Sequence, residues 1–115
     1  MELYAAYIKE REDIDMIYDN HCFITYKIED EEAMVHDFYS DQEVRGSGYM
    51  LEFCNKFIKT ISETGVKKVY GQTDERTNGW EHSDKVLRKY GFRFLGKDPS
   101  NENINNYLLK INLGE

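Results

Sequence analysis

Between residues 49 and 64 the apolar side chains Met50, Phe53, Cys54, Phe57, Ile58 and Ile61 recur at steps of three and four. That period puts them on one face of a helix, with Glu52, Asn55, Lys56, Lys59 and Glu63 on the other. A helix with one apolar stripe must bury it, so the remaining chain has to provide a complementary surface. Runs rich in β-branched and aromatic residues predict that this surface is a sheet. Residues 22–28 (CFITYKI) and 33–39 (AMVHDFY) read as a hairpin joined by the four-residue acidic loop Glu29–Glu32. Residues 66–72, 92–95 and 104–111 read as further strands, and 80–90 as a second helix with Val86, Leu87 and Tyr90 inward. Gly65 and Gly91 suit the two helix ends. Before residue 22 the pattern is weaker: 3–8 (LYAAYI) predicts a strand and 10–19 a short polar helix. The order β-β-α-β-α-β-β defines an α/β fold, a mixed and mostly antiparallel sheet flanked by helices.

The length of 115 residues predicts one domain over 1–115, with no internal linker: the single proline is Pro99 and no repeat is present. No apolar run reaches the roughly 18–20 residues of a membrane span, and MELYAAYIKERED lacks a signal-peptide core. Cys22 and Cys54 make no disulfide framework, and no Cys/His spacing suggests a metal site. The expectation is a soluble cytoplasmic protein without membrane partners. Residues 1–45 carry 13 acidic and 4 basic side chains, whereas 46–115 carry 9 and 11. Such an acidic front half disfavours nucleic acid, whose phosphates need a Lys/Arg footprint. It favours a cationic partner, and the nearly neutral back half leaves room for an anionic ligand.

The segment Glu43-Val44-Arg45-Gly46-Ser47-Gly48-Tyr49-Met50 joins the second strand to the long helix. Two glycines one residue apart let the backbone turn tightly and approach a ligand closely. The helix behind them offers unpaired N–H groups and the positive end of its dipole, which together suit an anion. Ser47 can add a hydroxyl and Arg45 a guanidinium. No Gly-Lys-Ser/Thr follows, so this is not a nucleotide P-loop. The third glycine of a dinucleotide fingerprint is also missing.

The strand, the Arg-Gly-x-Gly turn, the amphipathic helix, a strand, and a helix ending Lys89-Tyr90-Gly91-Phe92 together resemble the core of the GNAT N-acetyltransferase family. The likeness covers residues 22–113, leaving 1–21 as an abbreviated N-terminal region. It implies acetyl-CoA as cofactor and a primary amine as acceptor, on a small molecule or a protein lysine or N-terminus; a homodimer is compatible with it. Two registers fit the family's pyrophosphate turn. Arg45 takes its Gln/Arg slot with Gly48 as the first glycine, or Glu43 takes the slot with Gly46 and Gly48 both matched. In either, backbone N–H groups of Val44, Arg45, Gly46, Ser47, Gly48, Tyr49 and Met50 would bind the pyrophosphate. Phe38, Tyr39 and Ser40 would pair with the pantetheine arm and present an N–H to the thioester carbonyl.

The departures are as informative. The family's thiolate-protonating tyrosine, four residues before the Gly of Gly-Phe, is here Leu87, with Tyr70 and Tyr90 the nearby phenols. The family asparagine at the start of this helix has no clean match, and Asn78 and Ser83 are the polar candidates. Glu32 and His36 are the candidate bases on the second strand, with Asp37 expected on the opposite face by strand alternation. Positioning alone is the alternative, since a thioester is already activated. These gaps leave a second reading open, a CoA-binding or interaction module of the same fold without chemistry.

Overall fold

The structure is a computed structural model describing residues 1–111. Its elements are α1 (Glu2–Glu12), β1 (Asp15–Tyr18), β2 (Cys22–Glu29), β3 (Glu32–Ser40), a 3-10 turn (Gln42–Val44), α2 (Tyr49–Ser62), β4 (Lys68–Asp74), α3 (Trp80–Tyr90), β5 (Arg93–Asp98) and β6 (Asn101–Lys110). The six strands form one sheet in the order β1-β2-β3-β4-β6-β5. Among the described residues only β3 and β4 run parallel; every other pair is antiparallel. Among the described residues no helix is long and apolar enough to cross a membrane. Residues 112 and 113 of the expected core lie outside the described residues.

The predicted helix stripe does pack on the sheet. Met50, Phe53, Phe57 and Ile61 of α2 are buried, with Leu87 of α3, against Ile24, Tyr26, Ala33, Val69 and Tyr107 from four strands. Tyr26 meets Phe57 edge-on at 5.0 Å, an aromatic geometry that adds to simple area burial.

Three local expectations are corrected. Residues 3–8 are helical, because Ala5 and Ala6 are strong helix formers and Glu2 at one end and Lys9 and Arg11 at the other complement the dipole. Part of the predicted 10–19 helix is instead β1, an edge strand whose Asp15–Tyr18 pair with Phe23–Tyr26; tertiary pairing overrides weak local propensity there. The hairpin loop is two residues rather than four. Glu29 and Glu32 pair directly, leaving Asp30 and Glu31 to turn, with Asp30 at φ 56°.

Ile61 has no exposed surface, so Ile61→Ala removes contacts the helix cannot replace. The expected loss is about 2–5 kcal/mol of unfolding free energy, read from urea denaturation followed by circular dichroism.

Candidate active site

Two backbone features open the site. The first is the parallel pairing of β3 with β4, which runs only from Glu32–Lys68 to Met34–Tyr70 and then stops. Beyond it the strands diverge into a cleft of about 380 Å³. His36, Asp37, Phe38, Gln72, Thr73, Asp74, Thr77, Asn78, Trp80, Ser83 and Ile104 line it. The second is a β-bulge. Thr25 pairs with Asp37 and Tyr26 with Val35, so His36 is an extra residue in β3. Val35 and Phe38 both pack on the core, while His36 and Asp37 are both exposed. The bulge therefore places two consecutive side chains on the same side. The alternation that predicted Asp37 opposite His36 fails at that point.

Hydrogen bonds fix which edge of β3 faces the cleft. Asp37 N–H donates to Thr25 Oγ1 at 2.9 Å and Asp41 N–H to the His21 carbonyl at 2.8 Å, both toward β2. Alternation then turns the N–H groups of Phe38 and Ser40 to the other edge, where β4 has already departed. This is an open strand edge facing a cleft.

The turn after β3 builds the second half of the site. Gly46 and Gly48 have φ of 79° and 85°, with no heavy atom within 4 Å of where a Cβ would stand. Glycine is required by the left-handed backbone, and the space above it is free. Val44, Arg45 and Ser47 N–H groups are taken by carbonyls of Asp41, Gln42 and Val44, and Tyr49 N–H by Ser47 Oγ. Those of Gly46, Gly48, Met50 and Leu51 have no partner among the described residues. The same four residues, with Val44, line a cavity of about 220 Å³ whose other wall is His82, Lys85, Val86 and Lys89 of α3. Unpaired amides at a helix start, facing two lysines, have the chemistry to attract an anion.

The expected side chains divide accordingly. His36, Phe38, Asn78 and Ser83 meet in the cleft, and Val44, Gly46, Gly48 and Met50 in the cavity. Others serve the scaffold. Arg45 Nε donates to the Ser40 carbonyl at 2.9 Å and its guanidinium lies over the Tyr39 ring. Ser47 Oγ donates to the Val44 carbonyl. Tyr39 stacks on Phe23. Tyr49 turns its hydroxyl to Asp19 Oδ2 at 2.6 Å, which pushes the phenol up to about 12. Glu32 sits where β3 and β4 are still paired, near Tyr70 Oη, and is not part of the cleft wall. The acidic hairpin turn is at that same end, with Glu31 bridged to Lys67. Tyr90 donates to Asn55, and Leu87 is buried. Burial pushes the Cys54 thiol up to about 12, which suits a packing role rather than a nucleophile. Among the described residues His21, Asp41 and Glu43 form a group of metal-ligand type. The Asp41 carboxylate already accepts from Glu43 N–H and contacts His21, so it acts as a brace for the turn.

Trp80 and Lys85 are absent from the sequence reading, and Lys89 enters it only as part of the helix end Lys89-Tyr90-Gly91-Phe92, not as a site residue. The signal that marks them is helical spacing: 82, 85, 86 and 89 share one face of α3, but nothing local says that this face meets the glycine turn.

No protein-family model matches the sequence, and no curated protein matches it significantly. Solved structures do. The Ard1 protein of Thermoplasma volcanium superposes with a TM-score of 0.65 at 18% identity over 80% of this chain. The microcin C7 self-immunity acetyltransferase MccE, solved with acetyl-CoA and AMP, gives 0.69 at 15% identity over 95% of this chain and 67% of its own. The ribosomal-protein-S18-alanine N-acetyltransferase of Escherichia coli gives 0.66 at 12% identity over 99% and 78%. The chain spans 64% of the Thermoplasma protein, less than two thirds of its length. The fold is that of the GNAT acetyltransferases, as the order of turn, helices and strands implied.

Asp19 ties the back of this site together. Its Oδ1 accepts from the N–H groups of His21 and Cys22, both at 2.8 Å, and its Oδ2 from Tyr49 at the start of α2. Burial raises its pKa, but the Tyr49 and backbone hydrogen bonds outweigh that and hold it below the ordinary 3.8. A carboxyl depressed on folding stabilises the native state above its unfolded pKa, and that contribution is lost as pH falls through the folded value. The parent should therefore lose urea stability as pH drops below about 4. Asp19→Asn should be less stable than the parent at pH 7 and show a shallower decline below pH 4.

Proposed function

We propose that the protein is an acetyl-CoA-dependent N-acetyltransferase that moves an acetyl group to a primary amine. The observation that carries this reading is the continuity of the open β3 edge with the four unpaired amides of the glycine turn. One ligand with an amide-bearing arm and a pyrophosphate matches that sequence of donors and acceptors. CoA has both, in that order. The glycine turn leaves the free space a pyrophosphate needs, and Lys85 and Lys89 face it with positive charge. MccE, of the same fold, was solved with acetyl-CoA.

The thioester supplies an acetyl group already activated toward an amine. The residues of this chain then bind, orient and stabilise. Phe38 and Ser40 offer backbone groups along the arm, and the Phe38 N–H, next to the bulge, suits the carbonyl oxygen where negative charge develops. His36 is the one of the two expected bases that lines the cleft, and it suits removal of a proton from the incoming ammonium. Asp37 beside it favours a cationic amine.

A second reading has its own observation. Leu87 stands where the fold's usual acid would be a tyrosine, and it is buried in the core. This favours a protein that binds CoA without turnover. Calorimetric titration with CoA and acetyl-CoA tests binding, and thioester cleavage with a panel of amines separates the two readings.

Two outcomes are expected. CoA should raise the melting temperature, and Gly48→Val should abolish that rise while leaving the circular dichroism spectrum unchanged. Replacing Lys85 and Lys89 together by Ala should weaken CoA binding about tenfold at low salt and less at 0.5 M, because exposed charges are screened. Calorimetry at two ionic strengths reads this directly.

A further inference from the structure

Directly behind the β4 wall of the cleft the chain buries a line of polar side chains. Thr73, Asn105 and Tyr107 are only 6%, 3% and 0% exposed. Tyr107 Oη lies 2.5 Å from Asp84 Oδ1 and 3.0 Å from Thr73 Oγ1. Asn105 Nδ2 donates to Thr73 Oγ1 at 3.1 Å and to Glu75 Oε2 at 3.0 Å. Each end of the line is a carboxylate held by a cation, Asp84 by Arg88 Nε at 2.9 Å and Glu75 by Lys97. The Phe94 ring packs against Tyr107, and the Arg88 guanidinium lies over both rings.

These partners fix every hydrogen in the line. An ionised carboxylate only accepts, so Tyr107 spends its single proton on Asp84. The Tyr107 oxygen is then an acceptor, and the one hydroxyl facing it is that of Thr73, which must donate. Asn105, turned by Glu75, fills one lone pair of Thr73 Oγ1. One lone pair remains, on a residue that lines the cleft. Both carboxylates are depressed below their ordinary pKa, Asp84 despite burial and Glu75 by Lys97 and Asn105, so the polarity is set throughout the neutral range.

We propose that Thr73 meets the cleft as a pure hydrogen-bond acceptor and receives an N–H donor of the bound reactants, with Tyr107 and Asp84 as positioning residues that set its polarity. The inference rests on the acetyltransferase reading above. Two donors have the right chemistry: the amide N–H of the pantetheine arm and the amine of the acceptor. A threonine free to rotate could equally offer its proton; here that proton is committed.

The test uses the full chain and two binding arms, with urea midpoints as a control on folding. Thr73→Val should weaken its ligand about tenfold, in the range of a hydrogen bond whose loss leaves a buried partner unpaired, while Thr73→Ser stays within about threefold. Tyr107→Phe, which does not line the cleft, should weaken the same ligand by less than Thr73→Val, because the freed hydroxyl can still accept but is no longer held to do so. The double variant should then lose little more than Thr73→Val alone. A loss in the calorimetric affinity for CoA alone assigns the donor to the pantetheine arm. A loss confined to the acceptor's KM, with CoA affinity kept, assigns it to the amine. The inference is overturned if Thr73→Val keeps both, if Thr73→Ser loses as much as Thr73→Val, or if Tyr107→Phe keeps parent values. In each of those cases the parent still binds and turns over. If the parent protein neither binds CoA nor acetylates any amine, the acetyltransferase reading fails first and this one with it.

Discussion

The site depends on a parallel strand pair that is hydrogen-bonded for three residues and then released. Had β3 and β4 stayed paired, their edges would be spent on one another and the sheet would be closed. The separation starts after Met34–Tyr70, and the bulge at His36 follows within two residues on the side of β3 facing β2. A bulge bends its strand and strengthens the local twist, which carries the end of β3 away from β4. Backbone polar groups freed inside a fold need other partners. The released β3 edge is consequently free to pair with water or with a ligand of amide character, and the turn beyond it adds four free N–H groups.

The elements legible in the sequence are those whose local signal and tertiary role agree. The α2 stripe is legible because a three-and-four period over 14 residues has one explanation. The glycine turn is legible because φ values of 79° and 85° are open to few other residues. The N-terminal region is not, since LYAAYI is apolar without a period and β1 exists only because β2 offers it an edge. The bulge leaves no mark either: His36 and Asp37 are ordinary polar residues until the pairing of Thr25 and Tyr26 is known. Helix α3 is legible over residues 80–90, but its facing toward the glycine turn is a property of packing.

Charge in the front half is likewise redistributed by folding. The crowded acidic turn at residues 29–32 stands at the paired end of β3 and β4, where Lys67 and Lys27 meet Glu31 and Glu29. The cleft instead takes its negative character from Asp37 and Asp74, and Asp74 is neutralised by Arg76. On the helix side the lysines of α3 face the turn. The site is thus divided, with cationic groups around the glycine turn and Asp37 beside the bulge. Steering along such a division acts over about a Debye length, 8–10 Å, so single residues at the cleft matter more than the net charge of half a chain.

The leucine at position 87 follows from the same packing. A Cβ built on Gly71 would stand 3.4 Å from Leu87 Cδ2 and 3.8 Å from Phe92, so α3 lies almost directly on the backbone of β4. Gly71 pairs with Tyr107 on β6, whose ring fills the space beneath the helix and carries its hydroxyl to Thr73. Buried phenols need a partner for their hydroxyl, and at this point of the fold one phenol already occupies the volume and has found two. A second aromatic ring at position 87 would have to displace Phe92 or lift α3 from β4. At this point the core has therefore settled its phenol on the sheet rather than on the helix, and its polar end still arrives one hydrogen bond from the cleft wall.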